Sequence, residues 1–441
     1  MAHFDGLALL DRLELLVDPR SGVLRSLDRL DLPAGYEDLV HAFAAPLGRT
    51  TVLQHHAGRG TRQIGELAGY GIASDETTAR LRAACEGVER YCSVLPPTGP
   101  VVVATSRELG DAALDPRRLP RCSARERTRA CPAHRLRVFD PDVPEQWLTG
   151  HSVTRDRPVL VPATAVHVAL PLPLSEHLTF PDSTGFAAGS DLWSATLAGL
   201  CEVVERDSVA LWWLHQLPVP RVLPGPHLGA PLQGALDHIE SAGLMSQFLD
   251  LTTDVGVPVV GLVQVSLATR PHVVVTAACR PDAHAAGLHA VEEAGLLRVS
   301  LASPRHVDRT DLVSPGGPRP APDFGLAYAD RAAVDRFAFA LEAPTTMEYL
   351  PPPVRDPDPL VAIVARLAVL EMEVVVVDVT APEIRDLGLV VVRVIVPELM
   401  RTSFAHDIRY LAHPRLYSAP ARLGYGVRTE DTITDDPIPF A

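Results

Sequence analysis

The sequence predicts an α/β (α+β) fold in which mixed and antiparallel sheets are flanked by helices. Its 441 residues, 47% of them hydrophobic and 21% charged, suffice for one large folded unit or for about two or three domains. Runs rich in β-branched residues, such as 255–267 and 272–279, are typical of strands in one sheet. Segments with helical periodicity, such as 283–302, alternate with these runs. This alternation indicates sheets covered by helices.

The N-terminal part begins with a helical pattern and a turn in residues 7–30. Residues 50–60 indicate a short strand followed by a glycine-rich turn. From residue 66 the pattern indicates a glycine-punctuated strand or loop. It then predicts a helix that starts near Thr77 or Thr78, either of which could cap it.

The middle of the chain combines irregular and regular patterns. Residues 96–150 are rich in proline and arginine, which predicts irregular surface structure. Residues 157–170 predict a pair of strands broken at Pro162. A glycine-rich loop, 181–191, then leads into a long helix that continues to about residue 217.

The C-terminal part contains a Gly/Pro-rich linker or surface loop at 313–323. A strand in 371–380, a helix beginning near Pro382 and a second strand in 387–399 follow. The chain ends in a short polar tail that contains two prolines, 435–441.

Composition excludes several classes of function. The net charge of −14 argues against a protein that binds nucleic-acid backbones. All 40 basic residues are arginine, so a Walker A lysine, a Schiff-base lysine and a Ser-Lys dyad are excluded. No signal peptide precedes the first helical pattern, and charged residues interrupt every long apolar run. We therefore expect a cytoplasmic protein that does not bind a membrane.

The six cysteines do not form a standard metal-binding pattern. Cys85 and Cys201 each precede a glutamate within a helical segment, and we expect them to pack as small core residues. Cys122, Cys131 and His134 have a spacing that zinc sites do not use, which favours an irregular arginine-rich loop.

A short charged signature, ExxER, occurs twice on predicted helices. The first copy contains Glu86, Glu89 and Arg90, and the second contains Glu202, Glu205 and Arg206. Residues at positions i, i+3 and i+4 share one face of a helix, so each copy presents two carboxylates and one guanidinium together. Burying carboxylates is costly without a compensating cation. Four carboxylates converging from two helices would suit Mg²⁺, which prefers oxygen ligands.

The glycine-rich loop before the second copy adds an anion-binding feature. Ser183 and Thr184 offer hydroxyl groups there, and Gly185 and Gly189 allow close backbone approach. A triphosphate could lie between this loop and the helix, with Mg²⁺ on the carboxylates and arginine on the phosphates. The alternative is that Glu and Arg merely form pairs on a solvated helix face. The apolar surroundings of the second copy argue against that alternative.

These motifs resemble the YcaO family. The matching text is STGFAAG at 183–189, SATLAGLCEVVERD at 194–207 and ACEGVER at 84–90. The segments VVRVIVPELM at 391–400 and IRYLAHPRLY at 408–417 are similar to the C-terminal part of its azoline-forming branch. The resemblance implies a YcaO fold with the ATP site between the two ExxER helices. It implies residues 1–60 as an N-terminal segment and 61–441 as the catalytic domain with its proline-containing tail.

The resemblance also implies a reaction and its partners. YcaO proteins use ATP and Mg²⁺ to phosphorylate the oxygen of a peptide amide while a nucleophile attacks its carbon. A Cys, Ser or Thr nucleophile of a ribosomal precursor peptide yields a thiazoline or oxazoline. The implied partners are an E1-like protein that binds the leader and an azoline dehydrogenase, and the expected assembly contains a homodimer. Because no leader-binding domain precedes the residues that resemble the family, we expect a stand-alone cyclodehydratase subunit.

Carried over to this sequence, the resemblance predicts three groups of site residues. Mg²⁺ ligands would come from the two carboxylate pairs, and the nucleotide would be bound by those carboxylates with a serine and two arginines. Residues of the helix at 283–302, the C-terminal segment and the tail would act in catalysis. The metal ligands are Glu86, Glu89, Glu202 and Glu205; the added nucleotide contacts are Ser183, Arg90 and Arg206; the catalytic residues are Arg298, Arg409 and Pro439.

Some positions depart from the family pattern. Leu296 replaces a glutamine that family members usually carry, although Arg298 matches the arginine after it. The tail keeps Pro437 and Pro439 but lacks a third proline. Two alternatives therefore stay open: a YcaO enzyme that forms a thioamide or amidine, and a degenerate copy that serves as a non-catalytic scaffold.

Several other residues have ordinary explanations. His55 and His56 are adjacent and point apart in a strand, which favours surface turn residues. Trp212 and Trp213 follow the second signature, and we expect them to pack in the core. His406 and His413 flank Arg409; either could transfer a proton, although a structural role is favoured.

Overall fold

The computed structural model describes residues 6–48, 67–129, 135–170, 172–302, 325–402 and 405–439. Several sequence-based expectations lie outside these residues. They concern the strand and turn at 50–60 with His55 and His56, the predicted boundary at residue 60, Cys131 and His134, and the linker at 313–323.

The described residues contain strands and helices in alternation, as expected. None of the helices in these stretches is long and apolar enough to cross a membrane. The strands are β1 (Asp28–Arg29), β2 (His41–Pro46), β3 (Ala68–Ala73), β4 (Val101–Thr105), β5 (Pro144–Ser152), β6 (Arg157–Pro162), β7 (Phe186–Gly189), β8 (Arg221–Val222), β9 (Leu244–Asp250), β10 (Val259–Ser266), β11 (Val273–Cys279), β12 (Thr346–Met347), β13 (Val375–Asp378) and β14 (Val390–Ile395). The α-helices of six or more residues are α1 (Gly6–Glu14), α2 (Glu76–Val94), α3 (Ala124–Arg129), α4 (Leu192–His215), α5 (Ala230–Ser241), α6 (Ala283–Ala302), α7 (Pro359–Val369) and α8 (Pro414–Arg422).

The chain forms two compact units, each assembled from three separate stretches. Helix α4 begins in the first unit and ends in the second, because the boundary falls after Val203. The first unit comprises residues 1–30, 42–203 and 364–399, and the second comprises residues 31–41, 204–363 and 400–441.

The first unit is built around a six-stranded antiparallel sheet. Its strand order is β4-β5-β13-β14-β7, and β6 also pairs with β5. A smaller sheet has the order β1-β2-β3. The valine-rich strands β13 and β14 are buried on both faces over most of their length, which explains their continuous apolar sequence. Helix α2 lies against β3.

The second unit contains a five-stranded sheet of order β11-β10-β9-β8-β12. Its pairs are antiparallel except for the parallel β8–β12 contact. Every residue of β10 and β11 is buried, and α6 covers these two strands. Trp212 and Trp213 are each no more than 1% exposed, which confirms that they pack in the core. Cys201, in the first unit, is buried as expected, and Cys85 is partly buried against the core.

The mixed α+β fold predicted from the sequence is confirmed, with the strands expected in 255–267, 272–279, 371–380 and 387–399. The expectation of irregular structure in 96–150 was wrong. This stretch supplies β4, whose residues are exposed or partly exposed, and β5, whose residues largely alternate between buried and exposed despite Pro144 and Gly150. The proline and arginine content of residues 96–150 hid both strands.

Two local predictions are corrected. The second half of the strand pair expected in 157–170 is a helical turn, Ala163–Val166, which starts directly after Pro162. The N-cap of α2 is Asp75, whose carboxylate accepts the Thr78 N–H at 2.8 Å, while Thr77 and Thr78 already belong to the helix. In addition, the loop 181–191 contains the short strand β7, which pairs with β14.

Candidate functional site

The first ExxER copy lies on α2, where close contact with β3 sets its position. A Cβ atom on Gly71 would lie 2.2 Å from the Ala79 carbonyl oxygen, and one on Gly69 would lie 2.1 Å from the Gly87 nitrogen. Glycine at these two strand positions therefore lets the helix pack directly against the strand. As a result the Glu86 carboxylate accepts the Tyr70 N–H of β3 at 2.7 Å.

Each signature carboxylate in the first unit accepts a hydrogen bond from a backbone amide. Glu89 accepts the Ala188 N–H at 2.7 Å, and Glu202 accepts the Gly185 N–H at 2.8 Å. The glycine-rich loop and β7 are thus tied to both signature helices. These bonds orient the carboxylates while leaving oxygen lone pairs for other partners, since each carboxylate offers about four acceptor positions.

Arg90 connects the signature to the loop. Its guanidinium pairs with Glu86 at 2.8 Å and also donates a hydrogen bond to the Ser183 hydroxyl. The structure therefore brings together Glu86, Glu89, Arg90, Ser183 and Glu202, five of the predicted nucleotide-binding residues, within the first unit. We call this group the acidic cluster.

The electrostatics of the acidic cluster are unfavourable without a cation. Burial, together with the neighbouring carboxylates of Glu86 and Glu202, raises the pKa of Glu89 to about 8, against the opposing effects of the Ala188 amide and Arg90. Burial alone would lower the pKa of Arg90, but Glu86, Glu202 and Glu89 raise it overall. Three carboxylates around one guanidinium leave an excess of negative charge that a divalent cation would neutralise.

The acidic cluster fits Mg²⁺ by the chemistry of its donors. All three carboxylates supply hard oxygen ligands, and the Ser183 hydroxyl stands beside Arg90 where a phosphate could be bound. In the described part of the chain, no group of three or more His, Cys, Asp or Glu side chains is arranged so that it could hold a metal ion. Mg²⁺ binding by these residues therefore stays a prediction.

The remaining signature residues lie in the second unit. Glu205 and Arg206 share with Glu202 one face of α4, as the spacing predicts. The Glu205 carboxylate accepts a hydrogen bond at 3.0 Å from the Cys279 N–H at the end of β11. The Arg206 Nε atom lies 3.8 Å from the same carboxylate.

Sequence reasoning missed a cluster of titratable side chains on α6 in the same unit. His289 lies 3.3 Å from Glu292 and 3.1 Å from Glu293. Burial would lower the pKa of His289, but the two carboxylates raise it overall. Burial would raise the pKa of Glu293, but His289, Arg280 and Arg206 lower it. The spacing i, i+3 and i+4 on a helix was the signal that could have found this group.

The predicted catalytic residues have structural contacts within the second unit. Buried Arg298 donates hydrogen bonds to the Gln264 side chain and, at 2.9 Å, to the Pro271 carbonyl. Arg409 donates to the Thr434 carbonyl at 2.6 Å and pairs with Asp435 at 3.1 Å.

The described part of the tail, up to Pro439, is held by several contacts. Trp213 donates its ring N–H to the Asp436 carbonyl at 3.1 Å, and the Tyr328 hydroxyl donates to the Pro437 carbonyl. Arg336 pairs with the Asp436 carboxylate at 2.6 Å, and Pro439 is buried. Arg409 and the tail are therefore brought together, whereas their catalytic roles stay predictions.

Comparison with protein families shows which family this chain matches. The model described as YcaO cyclodehydratase, ATP- and Mg²⁺-binding, matches residues 70–400. An uncharacterized protein in the tfuA 3′ region of Rhizobium leguminosarum bv. trifolii is 28% identical over 317 residues, which is 66% of this chain and 66% of that protein.

Solved structures show the same fold. A heterocyclase in complex with substrate and cofactor matches with a TM-score of 0.80 at 24% identity, covering 99% of this chain and 57% of that chain. The YcaO of Methanopyrus kandleri bound with AMPPCP and Mg²⁺ matches with a TM-score of 0.63 at 20% identity, covering 90% and 91% of the two chains. The chain thus spans less than two thirds of the length of the heterocyclase.

Proposed function

The chain belongs to the YcaO family, and from this premise we propose that it is an ATP-dependent cyclodehydratase subunit. Its substrate would be a ribosomal precursor peptide, and its products would be thiazolines or oxazolines formed from Cys, Ser or Thr. ATP would supply the phosphoryl group that turns an amide oxygen into a leaving group. The protein's own residues would bind the nucleotide, neutralise its charge and hold the peptide.

One observation supports this proposal most directly. The Glu89 carboxylate is partly buried near the carboxylates of Glu86 and Glu202, and its pKa is raised to about 8. The raised pKa means that the ionised Glu89 carboxylate destabilises the folded state even with the Ala188 amide and Arg90 beside it. A bound Mg²⁺ with its phosphate ligands would reverse the penalty, because the cation favours the ionised form.

The roles we propose follow from the contacts. Glu86, Glu89 and Glu202 would hold Mg²⁺, with their backbone hydrogen bonds keeping them in place. Arg90 and Ser183 would contact the phosphates, since the guanidinium already reaches the loop hydroxyl.

The other predicted site residues keep more limited roles. Glu205 remains a predicted Mg²⁺ ligand and nucleotide contact, and Arg206 remains a predicted nucleotide contact, on the next turn of α4. For Arg298, Arg409 and Pro439 we propose positioning roles, because their contacts hold the second unit and its tail.

The proposal includes partners that act on the same peptide. An E1-like protein would bind the leader, and an azoline dehydrogenase would oxidise the ring formed. We also propose a homodimer that works in the cytoplasm. Copurification with each partner and sedimentation of the purified chain would examine these points separately.

Calorimetric titration with ATP, with and without Mg²⁺, tests the proposed function. We expect Mg²⁺-dependent binding that Glu89→Gln and Glu202→Gln each weaken by at least about tenfold, because each removes a ligand charge. Glu240→Gln is the matched control, since this exposed carboxylate lies on α5 in the second unit. With precursor peptide and partner added, mass spectrometry should detect loss of water from the peptide.

The same titration separates the alternatives. If the folded wild-type chain binds no ATP even with its partner present, the cyclodehydratase proposal fails and the scaffold hypothesis is favoured. If ATP binds but the peptide exchanges an amide oxygen for sulfur, or loses water with an amine in place of Cys, Ser or Thr as the nucleophile, the thioamide- or amidine-forming alternative is favoured.

A further inference from the structure

One buried arginine of the first unit is not part of the acidic cluster but contacts the loop that supplies its hydroxyl. Arg393 lies within the valine-rich strand β14 and is 2% exposed. Its Nη1 atom donates to the Asp182 carbonyl at 2.9 Å, and its Nη2 atom lies 3.4 Å from the Asp182 carboxylate. One guanidinium therefore contacts two groups of a single loop residue, which fixes the orientation of that residue.

The same guanidinium is held from its other side by an aromatic ring. Arg393 is the partner of Phe186 in the pairing of β14 with β7. The guanidinium carbon lies 4.7 Å from the centre of the Phe186 ring. A cation over an aromatic face is attracted to it, more strongly where water is excluded. Arg393 is thus confined between the ring and Asp182.

The loop residues that follow Asp182 form a tight turn. The Asp182 carboxylate accepts the Thr184 N–H at 2.9 Å, so it spans Ser183. The Phe186 N–H donates to the Ser183 carbonyl at 3.0 Å, and Gly185 has φ +85° at the third position of this turn. The direction in which Ser183 points therefore depends on how Asp182 is held.

Strand β14 also holds the far side of the turn. The Val394 N–H donates to the Gly185 carbonyl at 2.7 Å. Arg393 and Val394, which are consecutive, therefore fasten the loop on both sides of Ser183. The Ser183 hydroxyl receives its hydrogen bond from Arg90 at this point of the loop. Contacts from β14 thus determine the position of the hydroxyl for which we propose a phosphate contact.

Stability alone does not account for this buried ion pair. The side chains of Arg393 and Asp182 are 3% and 1% exposed, so both charges have lost their hydration. Replacing such a pair by apolar residues is often neutral or even stabilising. The planar guanidinium, however, sets the direction of each contact, which an apolar side chain cannot do. The pair therefore contributes orientation more than stability.

We propose that Arg393 and Asp182 are positioning residues, which hold the Ser183 hydroxyl, through the Thr184 amide, where a phosphate of the nucleotide contacts it. Neither residue touches the nucleotide itself. This role rests on the proposed function, in which Ser183 contacts a phosphate. Because the loop is already ordered, ATP binding would not have to pay for ordering it.

Calorimetric titration of Arg393→Met with Mg²⁺–ATP tests this proposal. We expect binding to weaken by about tenfold or more, because residues that orient a ligand group have effects of this size. Arg118→Met is the matched control, since Arg118 pairs at 2.6 Å with the buried Glu373 carboxylate of the same unit. The control should lower the melting temperature but leave the affinity unchanged. Wild-type affinity in folded Arg393→Met would overturn the proposal.

A double-mutant cycle with Ser183→Ala distinguishes positioning from a merely structural role. Ser183→Ala should weaken Mg²⁺–ATP binding several-fold in the wild-type protein. In Arg393→Met it should have little further effect, because the hydroxyl is no longer held in place. Independent, multiplying effects of the two substitutions would contradict the proposal.

A second variant covers the case in which Arg393→Met does not fold. That substitution leaves the Asp182 carboxylate buried without this cation, which is strongly destabilising. The double variant Asp182→Asn/Arg393→Met removes both charges and keeps an oxygen that can accept the Thr184 N–H. We expect it to fold and to bind Mg²⁺–ATP more weakly than the wild type. Unchanged affinity in this variant would also overturn the proposal.

Hydrogen exchange of the loop amides provides a readout that needs no nucleotide. By mass spectrometry of peptides spanning 182–188, we expect several-fold faster exchange in Arg393→Met and no change in Arg118→Met. If the wild type binds no ATP but exchange responds as expected, the proposed function fails and only the ordering of the loop remains. If ATP binds the wild type while neither affinity nor exchange responds to Arg393→Met, the positioning role alone is refuted.

Discussion

At the scale of single residues, Glu89 shows which physical effect dominates the acidic cluster. It accepts a backbone hydrogen bond from Ala188 and lies near Arg90, and both favour the ionised form. Burial and the carboxylates of Glu86 and Glu202 outweigh these two contributions, so the pKa rises to about 8. The cluster therefore favours the binding of a cation. Without the cation, the same arrangement lowers the stability of the folded state.

The raised pKa of Glu89 predicts how stability depends on pH. Above its ordinary pKa of 4.5 the unfolded chain has released this proton, whereas the folded protein retains it up to about pH 8. The folded state thus binds more protons in this window, and its stability falls as the pH rises. We expect a loss on the order of 1–3 kcal/mol between about pH 5 and pH 8, measured by urea unfolding without Mg²⁺.

Glu89→Gln provides the comparison for this pH effect. The amide does not ionise, so the variant should lose most of the pH dependence between about pH 5 and pH 8 and exceed the wild type in stability near pH 8. Added Mg²⁺–ATP should stabilise the wild type more than the variant. Equal slopes for the two proteins across this range would show that Glu89 is not the group responsible.

At the scale of elements, the loop before α4 depends on close backbone packing. Gly185 has φ +85°, and a Cβ atom on it would lie 2.3 Å from the Val394 carbonyl oxygen of β14. Its N–H is also the donor that binds Glu202. One residue therefore sets both the path of the glycine-rich loop and the orientation of a carboxylate on the second signature helix.

Gly185→Ala should be costly for two reasons that a control can separate. The left-handed backbone conformation costs of order 1–3 kcal/mol for a residue with a side chain, and the clash with β14 adds to this. Gly424→Ala tests the conformation alone, because Gly424 has φ +81° and open space around it. We expect Gly185→Ala to lower the melting temperature more than Gly424→Ala and to weaken Mg²⁺–ATP binding. Equal melting temperatures would contradict the packing argument.

At the scale of the whole molecule, the chain carries 54 acidic and 40 basic residues, and every basic residue is arginine. Phosphate contacts must therefore come from guanidinium groups, hydroxyls and backbone amides. A guanidinium stays charged and reacts poorly with acylating reagents, in contrast to a lysine ammonium group. This composition makes the proposed nucleotide site chemically distinct from the many sites that rely on lysine.

Acylation tests this property of the whole chain. Treatment with an amine-reactive acetyl ester, followed by hydroxylamine to reverse ester formation, should modify no internal side chain amine. We expect Mg²⁺–ATP affinity to be unchanged within about twofold, because no ligand group is altered. Modification of arginines with phenylglyoxal should abolish binding, and ATP should protect against it. Loss of binding after acetylation alone would contradict the assignment of phosphate contacts to arginine.

The amino-acid sequence by itself determined the helical faces that carry Glu86, Glu89, Glu202 and Glu205, because the i, i+3, i+4 relation follows from helix geometry alone. It also determined the valine-rich central strands, because a short continuous run of apolar β-branched residues is typical of a strand buried on both faces. The absence of lysine required no structure at all.

Only the tertiary structure decided what depends on neighbours distant in sequence. It placed β4 and β5 in a stretch that looked irregular, because pairing with other strands outweighs local proline and arginine content. It also determined that Asp75 is the N-cap of α2, because the backbone at that residue is extended. It set the pKa of Glu89, since burial and the charges of Glu86 and Glu202 arise only when separate segments pack together. The local sequence determines which residues share a helix face. Long-range packing determines how deeply those residues are buried and which charges lie next to them.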